Sequence, residues 1–285
     1  MKGRICLKTK LAYFLVLALC LSLCGCGTQP GPTIPPAPQE TEQSDMTDDA
    51  AADQEAEDLA LEAQDGAEDG SPAESEETAE EKAPVLLYMG HASLRIVTAE
   101  GKVIYIDPYA GNAYDLPADL ILVTHEHFDH STFDRVKSRS EDCRTITWKE
   151  ALEGGKHQSF DLAYVSVEAV EAGNNRFHDL RKCVGYVLRF PNGVSVYVSG
   201  DTSTTAQMAE MADMQIDYAF FCCDGVYNMG PAEAAKCAEL VGAKHNIPYH
   251  TASTDSGKIF DPENAEKFDA PDRLILSPGD EIELK

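Results

Sequence analysis

The sequence predicts a layered α/β protein over residues 84–285, and three observations predict it. Short β-rich apolar runs recur along the stretch. Turn residues around Gly101 and Gly193 join neighbouring runs into hairpins. Helical signals alternate with the later runs, the pattern of helices laid on mixed sheets.

Each element follows from its own residues. Val85–Tyr88, Ser93–Val97 and Val103–Ile106 are apolar and closely spaced, and Glu100-Gly101-Lys102 turns the second into the third. Asp119–Val123 predicts a short buried strand. Ser131–Val136 predicts a short helix capped by Ser131. Thr145–Trp148, Ala163–Val170, Val184–Phe190 and Val194–Val198 predict strands, with Pro191-Asn192-Gly193 turning the last pair. Ser203–Met214 predicts a helix and Tyr218–Cys222 a strand. Pro231 in a first turn and Gly242 just past the end bracket a helix over 231–241. Asn246–His250 predicts a strand, Pro262–Phe268 a helix, and Arg273–Leu276 with Glu281–Leu284 the closing strands. No internal repeat is visible beyond the recurrence of strand–helix units.

The first 83 residues read differently. Lys2, Arg4, Lys8 and Lys10 precede the apolar run Leu11–Leu23. That run is shorter than the roughly 20 residues a bilayer span needs and fits the core of a signal peptide over residues 1–25. Leu23-Cys24-Gly25-Cys26 resembles a bacterial lipobox. The resemblance implies lipidation of Cys26, export, and anchoring to the bacterial cell membrane on its extracytoplasmic side. An ordinary signal peptide or a short anchor helix is the plainer alternative. Residues 26–83 are Pro-rich and then acidic, with 18 Asp and Glu against Lys82 alone. Such a segment buries too little apolar surface to offset its ordering entropy. It predicts a disordered tether extended by self-repulsion, in which a helix around Ala50–Ala63 would be marginal.

Charge narrows the partners. Once the leader's +4 and the linker's −17 are set aside, the domain keeps about −13 of the chain's −26. Nucleic-acid backbones need Lys and Arg, so an acidic domain on an acidic tether excludes that class. Direct docking on anionic headgroups is disfavoured too. Cys143, Cys183, Cys222, Cys223 and Cys237 are odd in number and do not read as a disulfide framework; they are buried thiols or contain one pair.

The chemistry concentrates in Thr124-His125-Glu126-His127-Phe128-Asp129-His130, directly after a buried strand. Imidazole and carboxylate are ligands for zinc, and for manganese or iron as geometry allows. The alternative is a polar loop. On an extended or tightly turned backbone His125 and His127 can face one side while Asp129 and His130 turn to a neighbouring position.

The run resembles the HxHxDH signature of the metallo-β-lactamase superfamily. Tyr105-Ile106-Asp107-Pro108, His178, Ser199-Gly200-Asp201-Thr202 and Ile247-Pro248-Tyr249-His250 follow in the family's order, over about residues 85 to 255. Met89-Gly90-His91-Ala92-Ser93 and Tyr227-Asn228-Met229-Gly230-Pro231 resemble the branch of ascorbate-6-phosphate lactonase. The resemblance implies a four-layer αββα sandwich with the site at the strand ends. It assigns His125, His127 and His178 to a first divalent metal ion and Asp129, His130 and His250 to a second, with Asp201 bridging. Zinc is the first choice, with manganese or iron as alternatives. Such ions lower the pKa of bound water toward 7, and Asp129 would orient the resulting hydroxide or shuttle its proton as the catalytic carboxylate.

Asp107 is expected to orient a ligand histidine, the alternative being that it is a ligand itself. His91 is expected to line the pocket, contact substrate or satisfy a turn. Asn174, Asn175 and Arg176 either meet substrate or are plain turn residues. His157 is expected at the surface, and His245 in a structural role. The implied function is a metal-dependent hydrolase acting outside the membrane on a small-molecule ester, lactone, amide or phosphodiester. A catalytically inactive binding protein of the same fold and a β-lactamase are the alternatives; the complete ligand set weighs against the first, and the Asp129-His130 pair against the second. The absence of a long insertion argues against an RNA-processing nuclease, and His127 in the second ligand slot against a di-iron redox relative.

Overall fold

The computed structural model describes residues 82–285. The leader, Cys26, the linker up to residue 81 and its possible helical patch lie outside the described residues.

Among the described residues, twelve strands form two six-stranded mixed sheets. The first contains β1 (Val85–Gly90), β2 (Ser93–Val97), β3 (Val103–Ile106), β4 (Ala118–Leu122) and β5 (Arg139–Ile146). The second contains β6 (Ser159–Leu162), β7 (Val165–Glu171), β8 (Val184–Arg189), β9 (Ser195–Val198), β10 (Tyr218–Cys222) and β11 (His245–Tyr249). The C-terminal β12 (Glu281–Glu283) returns to pair antiparallel with β1 in the first sheet. The spatial orders are β12-β1-β2-β3-β4-β5 and β11-β10-β9-β8-β7-β6.

The two sheets repeat one topology. In each, antiparallel pairing runs through an edge strand and three successive strands, and the last three strands of the half pair in parallel. The sequence carries no visible trace of this repeat, because pairing direction is set by connections and not by residue identity.

Side-chain alternation packs the sandwich. Leu86, Tyr88, Ile104, Ile106, Leu120 and Leu122 face the second sheet in the main core. Their neighbours Leu87, Met89, Val103, Tyr105, Ile121 and Val123 form a smaller cluster on the outer face. Strands buried on both faces need cover, and the cover is unequal. The second sheet carries α2 (Pro231–Val241), which buries Ala234, Cys237, Ala238 and Val241. Among the described residues the first sheet has only the one-turn α1 (Trp148–Ala151), whose Trp148 packs on the outer cluster with Phe133 and Tyr114. α3 (Pro262–Lys267), capped by Asp261, follows β11. The expected αββα sandwich is the observed fold, with a thin helical layer on one side.

Two expected helices are 3-10 turns instead. Over 131–136 only Phe133–Arg135 coils. The Ser131 hydroxyl donates backward to the carbonyls of Glu126 and His127, and is unavailable as a cap. Over 203–214 the chain makes turns at Gln207–Ala209 and Met211–Met214. The Gln207 N–H is taken by the Glu171 carboxylate, and Met208 and Met211 both sink into the core, a three-residue spacing that suits the tighter coil. The strand expected at Thr145–Trp148 is longer and ends earlier, because Thr147 and Glu150 form a capping box that starts α1. The Arg273–Leu276 strand reduces to one bridge between Asn246 and Arg273. All five cysteines of the domain are free thiols, and four of them are buried.

Candidate metal centre

Parallel strands end together, and their C-terminal ends bring the singled-out residues into one place. β3 leads into Asp107, β4 into Thr124 and His125, β9 into Asp201, β10 into Asp224 and β11 into His250. The β1–β2 turn contributes His91, and the loop between β7 and β8 contributes His178. The turn into Asp201 requires glycine: Gly200 has φ +61°, and a Cβ there would lie 2.7 Å from the Val184 carbonyl oxygen.

Nitrogen and oxygen atoms gather in overlapping groups, each within 4.8 Å: His125, His127 and His178; His91, Asp129, His130 and His250; and His125, His130 and Asp201. Nε2 of His178 lies 3.2 Å from Nδ1 of His127. The Asp201 carboxylate stands between the groups, with Oδ1 3.2 Å from Nε2 of His130. Its Oδ2 is 3.4 Å from Nε2 of both His178 and His250. Among the described residues, Nε2 of His125, His130 and His250 and Oδ1 of Asp201 are buried without a hydrogen-bond partner. Buried polar atoms left unpaired cost roughly 1–3 kcal/mol each. Divalent cations would satisfy this donor set, so the residues fit the metal the sequence implies.

A second ring of side chains fixes these donors. Asp107 accepts from the Thr124 backbone N–H at 2.8 Å and its hydroxyl at 2.7 Å, and Oδ2 also accepts from Nδ1 of His130 at 2.8 Å. That bond turns Nε2 of His130 toward Asp201. Asn175 Oδ1 accepts from the N–H groups of Phe177 and His178 and lies 3.2 Å from Nδ1 of His178. Of the turn residues left open by sequence, Asn175 therefore positions His178. Asp224 was not singled out by sequence. Its Oδ1 accepts from the N–H groups of Val226 and Tyr227, and its Oδ2 lies 3.4 Å from Nδ1 of His250. Asn228 donates to Asp201 and to Asp224, both at 2.8 Å. The one sequence signal for Asp224 is an acidic residue directly after a buried strand, as at Asp107.

His91 does more than line a pocket. Its Nε2 lies 3.0 Å from Asp129 Oδ2, and its ring lies 3.7 Å from that of His250. Thr254, also missed, donates to the same Asp129 oxygen. His91, Asp107 and His250 all have positive φ without being glycine. Three of the six non-glycine residues with positive φ among the described residues thus lie at the site, where surrounding bonds hold them. His157 is exposed, and His245 packs on Tyr218 away from the cluster.

Burial and neighbours set the protonation states. Burial, with His250 beside it, pushes His91 down to about 4, so Nε2 carries the proton it donates to Asp129. Burial alone would raise Asp129, but His91, His130 and Thr254 hold it well below the usual carboxylate range. Burial drives His125 and His178 down, toward the neutral form that binds metal. Burial also opposes charge on His130, yet Asp201 and Asp107 lift it well above the ordinary imidazole value. Beside the cluster opens a cavity of about 340 Å³, with Phe128, Phe177 and Tyr227 on its walls.

Sandwich and cluster together define a metal-dependent hydrolase of the metallo-β-lactamase superfamily. The model of the β-lactamase superfamily domain matches residues 85–250. A metal-dependent hydrolase of Thermococcus kodakarensis is 31% identical over 228 residues, covering 69% of this chain and 98% of its own length. The crystal structure of a metal-dependent hydrolase from Parabacteroides distasonis is similar with TM-score 0.55 and 28% identity, over 67% of this chain and 92% of that one. A metallo hydrolase of Ignicoccus hospitalis shares the fold at TM-score 0.55 and 18% identity, over 72% of this chain and 99% of that one. The chain belongs to the UPF0173 metal-dependent hydrolase family of this superfamily.

Asp224→Asn keeps the oxygen that caps the turn but places an amide N–H₂ against Asn228 and His250. It is expected to weaken metal binding about 10- to 100-fold. Competition titration with a chromophoric chelator checks this, and unchanged affinity would show that Asp224 does not support the site.

Proposed function

We propose that the enzyme hydrolyses a small ester, lactone, amide or phosphodiester with two divalent ions, zinc foremost. His125, His127 and His178 would hold one ion and Asp129, His130 and His250 the other, with Asp201 shared. The observation that carries this reading is the placement of the Asp201 carboxylate among inward-facing imidazoles of both proposed ligand groups, with its oxygens 3.2–3.4 Å from His130, His178 and His250. Divalent ions held there would supply Lewis-acid polarisation of a carbonyl or phosphoryl oxygen and would acidify water toward neutral pH.

The chain's own residues do the rest. Asp129, tied at Oδ2 by His91 and Thr254, orients the attacking water and relays its proton to the leaving group. Asp107 and Asn175 keep His130 and His178 aimed inward, and Asp224 sets a negative charge 3.4 Å from Nδ1 of His250, so little reorganisation is needed during the reaction. His91 keeps Asp129 ionised and closes the floor beside His250. The motif likeness to the ascorbate-6-phosphate lactonase branch extends to His91 and Asn228. That activity is not carried over, since its phosphorylated substrate belongs to the cytoplasm.

His127→Ala is expected to lower kcat/KM at least about 10³-fold with the domain still folded, in a screen of lactones, esters and phosphodiesters with zinc- and manganese-loaded protein. Chelation should abolish turnover and added metal restore it. Full activity in the metal-loaded variant would sink the two-ion assignment.

The place of action is part of the proposal. The basic leader, the short apolar run and the lipobox-like end support export and a lipid anchor at Cys26 on the outer side of the bacterial cell membrane. Cys26→Ser should then move the protein from the membrane fraction to the soluble one. Undiminished membrane association of that variant would point to another anchor.

A further inference from the structure

The walls of the site cavity differ from its floor. Phe128 is 65% exposed, although it lies between His127 and Asp129. Phe177, directly before His178, is 36% exposed. Each candidate ion group thus has an exposed phenyl ring next to one of its donors in the chain. Both rings are propped: Phe128 meets Tyr109 edge-on at 5.8 Å, and Phe177 meets Tyr227 edge-on at 5.0 Å. Val226, beside Tyr227, is 58% exposed. An apolar patch held open around a polar floor marks a binding surface.

The charges at the cavity point the same way. Among the described residues, its lining includes Asp129, Asp201 and Asp255 but no Lys or Arg. Bound cations would neutralise the first two. Asp255, which accepts from the Tyr227 hydroxyl, adds a further carboxyl group at the exposed rim. Arg176 stacks on Phe177 at 4.3 Å, but it lines an adjoining groove and not this cavity. Lys182 is paired with Glu126 at 3.0 Å. Nothing in the lining offers an anionic substituent the fork or ammonium that such groups need.

We infer that the substrate carries an uncharged aromatic or alkyl group seated between Phe128 and Phe177, with its scissile group on the metal floor and no phosphate or carboxylate on the seated part. This rests on the hydrolase reading above and narrows it to neutral esters, lactones or amides. A cavity of about 340 Å³ takes a group of roughly phenyl to short-alkyl size beside the reacting atoms.

Binding tests the inference without relying on turnover. The zinc-loaded full chain is titrated calorimetrically with acetohydroxamate, benzohydroxamate and 4-phosphonobenzohydroxamate, which share one metal-binding group. Benzohydroxamate is expected to bind at least tenfold tighter than either of the others, and Phe128→Ala/Phe177→Ala to erase its advantage over acetohydroxamate. Equal affinity for the acetyl and benzoyl probes, tighter binding of the phosphonate, a preference that survives the double substitution, or no binding of benzohydroxamate would each overturn it. The preference intact without hydrolysis of any ester or lactone would remove the catalytic reading alone. Hydrolysis without the preference would remove only this inference.

Discussion

A carboxylate sealed between two β-sheets is costly unless positive charge surrounds it. Asp201 is in that position. It is 3% exposed, and its two oxygens face Nε2 of His130, His178 and His250. The arrangement of the strand ends serves this one group. Gly200 makes the turn that delivers it, Asn228 donates to it, and Asp107 turns His130 toward it. The fold places these residues by ending parallel strands of both sheets at the same edge, while the hairpins keep those sheets in register.

The topological repeat gives the site its economy. β3 and β4 of the first half lead into Asp107 and His125, and β9 and β10 of the second lead into Asp201 and Asp224. Equivalent positions therefore hold Asp107, hydrogen-bonded to His130, in one half and Asp201, facing His130, His178 and His250, in the other. His130 with Asp107, and His250 with Asp224, form two carboxylate–imidazole pairs on either side of the seam. The hydrogen bond in the first pair fixes which nitrogen of His130 faces inward, a requirement for ligation by neutral imidazole, while Asp224 faces Nδ1 of His250 at 3.4 Å.

Much of this was legible in the residues. Buried strands such as Tyr218–Cys222 announce themselves by continuous apolar runs, and Pro231 and Gly242 mark the ends of α2 because their backbone restrictions are local. The His125–His130 run stands out by density alone. His178, Asp201 and His250 are far apart in sequence, and only the family resemblance joined them; the fold brings them within reach of one another. What sequence missed depended on tertiary partners. Ser131 looks like a cap until its hydroxyl is spent on Glu126 and His127. β6 has only Phe160 and Leu162 to signal it, and exists because β7 offers an edge. Asp224 shows only an acidic residue after a buried strand and Thr254 shows no local signal; they matter through Asn228 and His250, and through Asp129.

The proposed hydrolase requires two ions that share Asp201. Anomalous diffraction at the zinc edge from crystals of the zinc-loaded protein measures this directly. Two peaks about 3.5–4 Å apart on either side of the Asp201 carboxylate are expected, one against His125, His127 and His178 and the other against Asp129, His130 and His250. A single fully occupied peak, or ions lying away from Asp201, would contradict it.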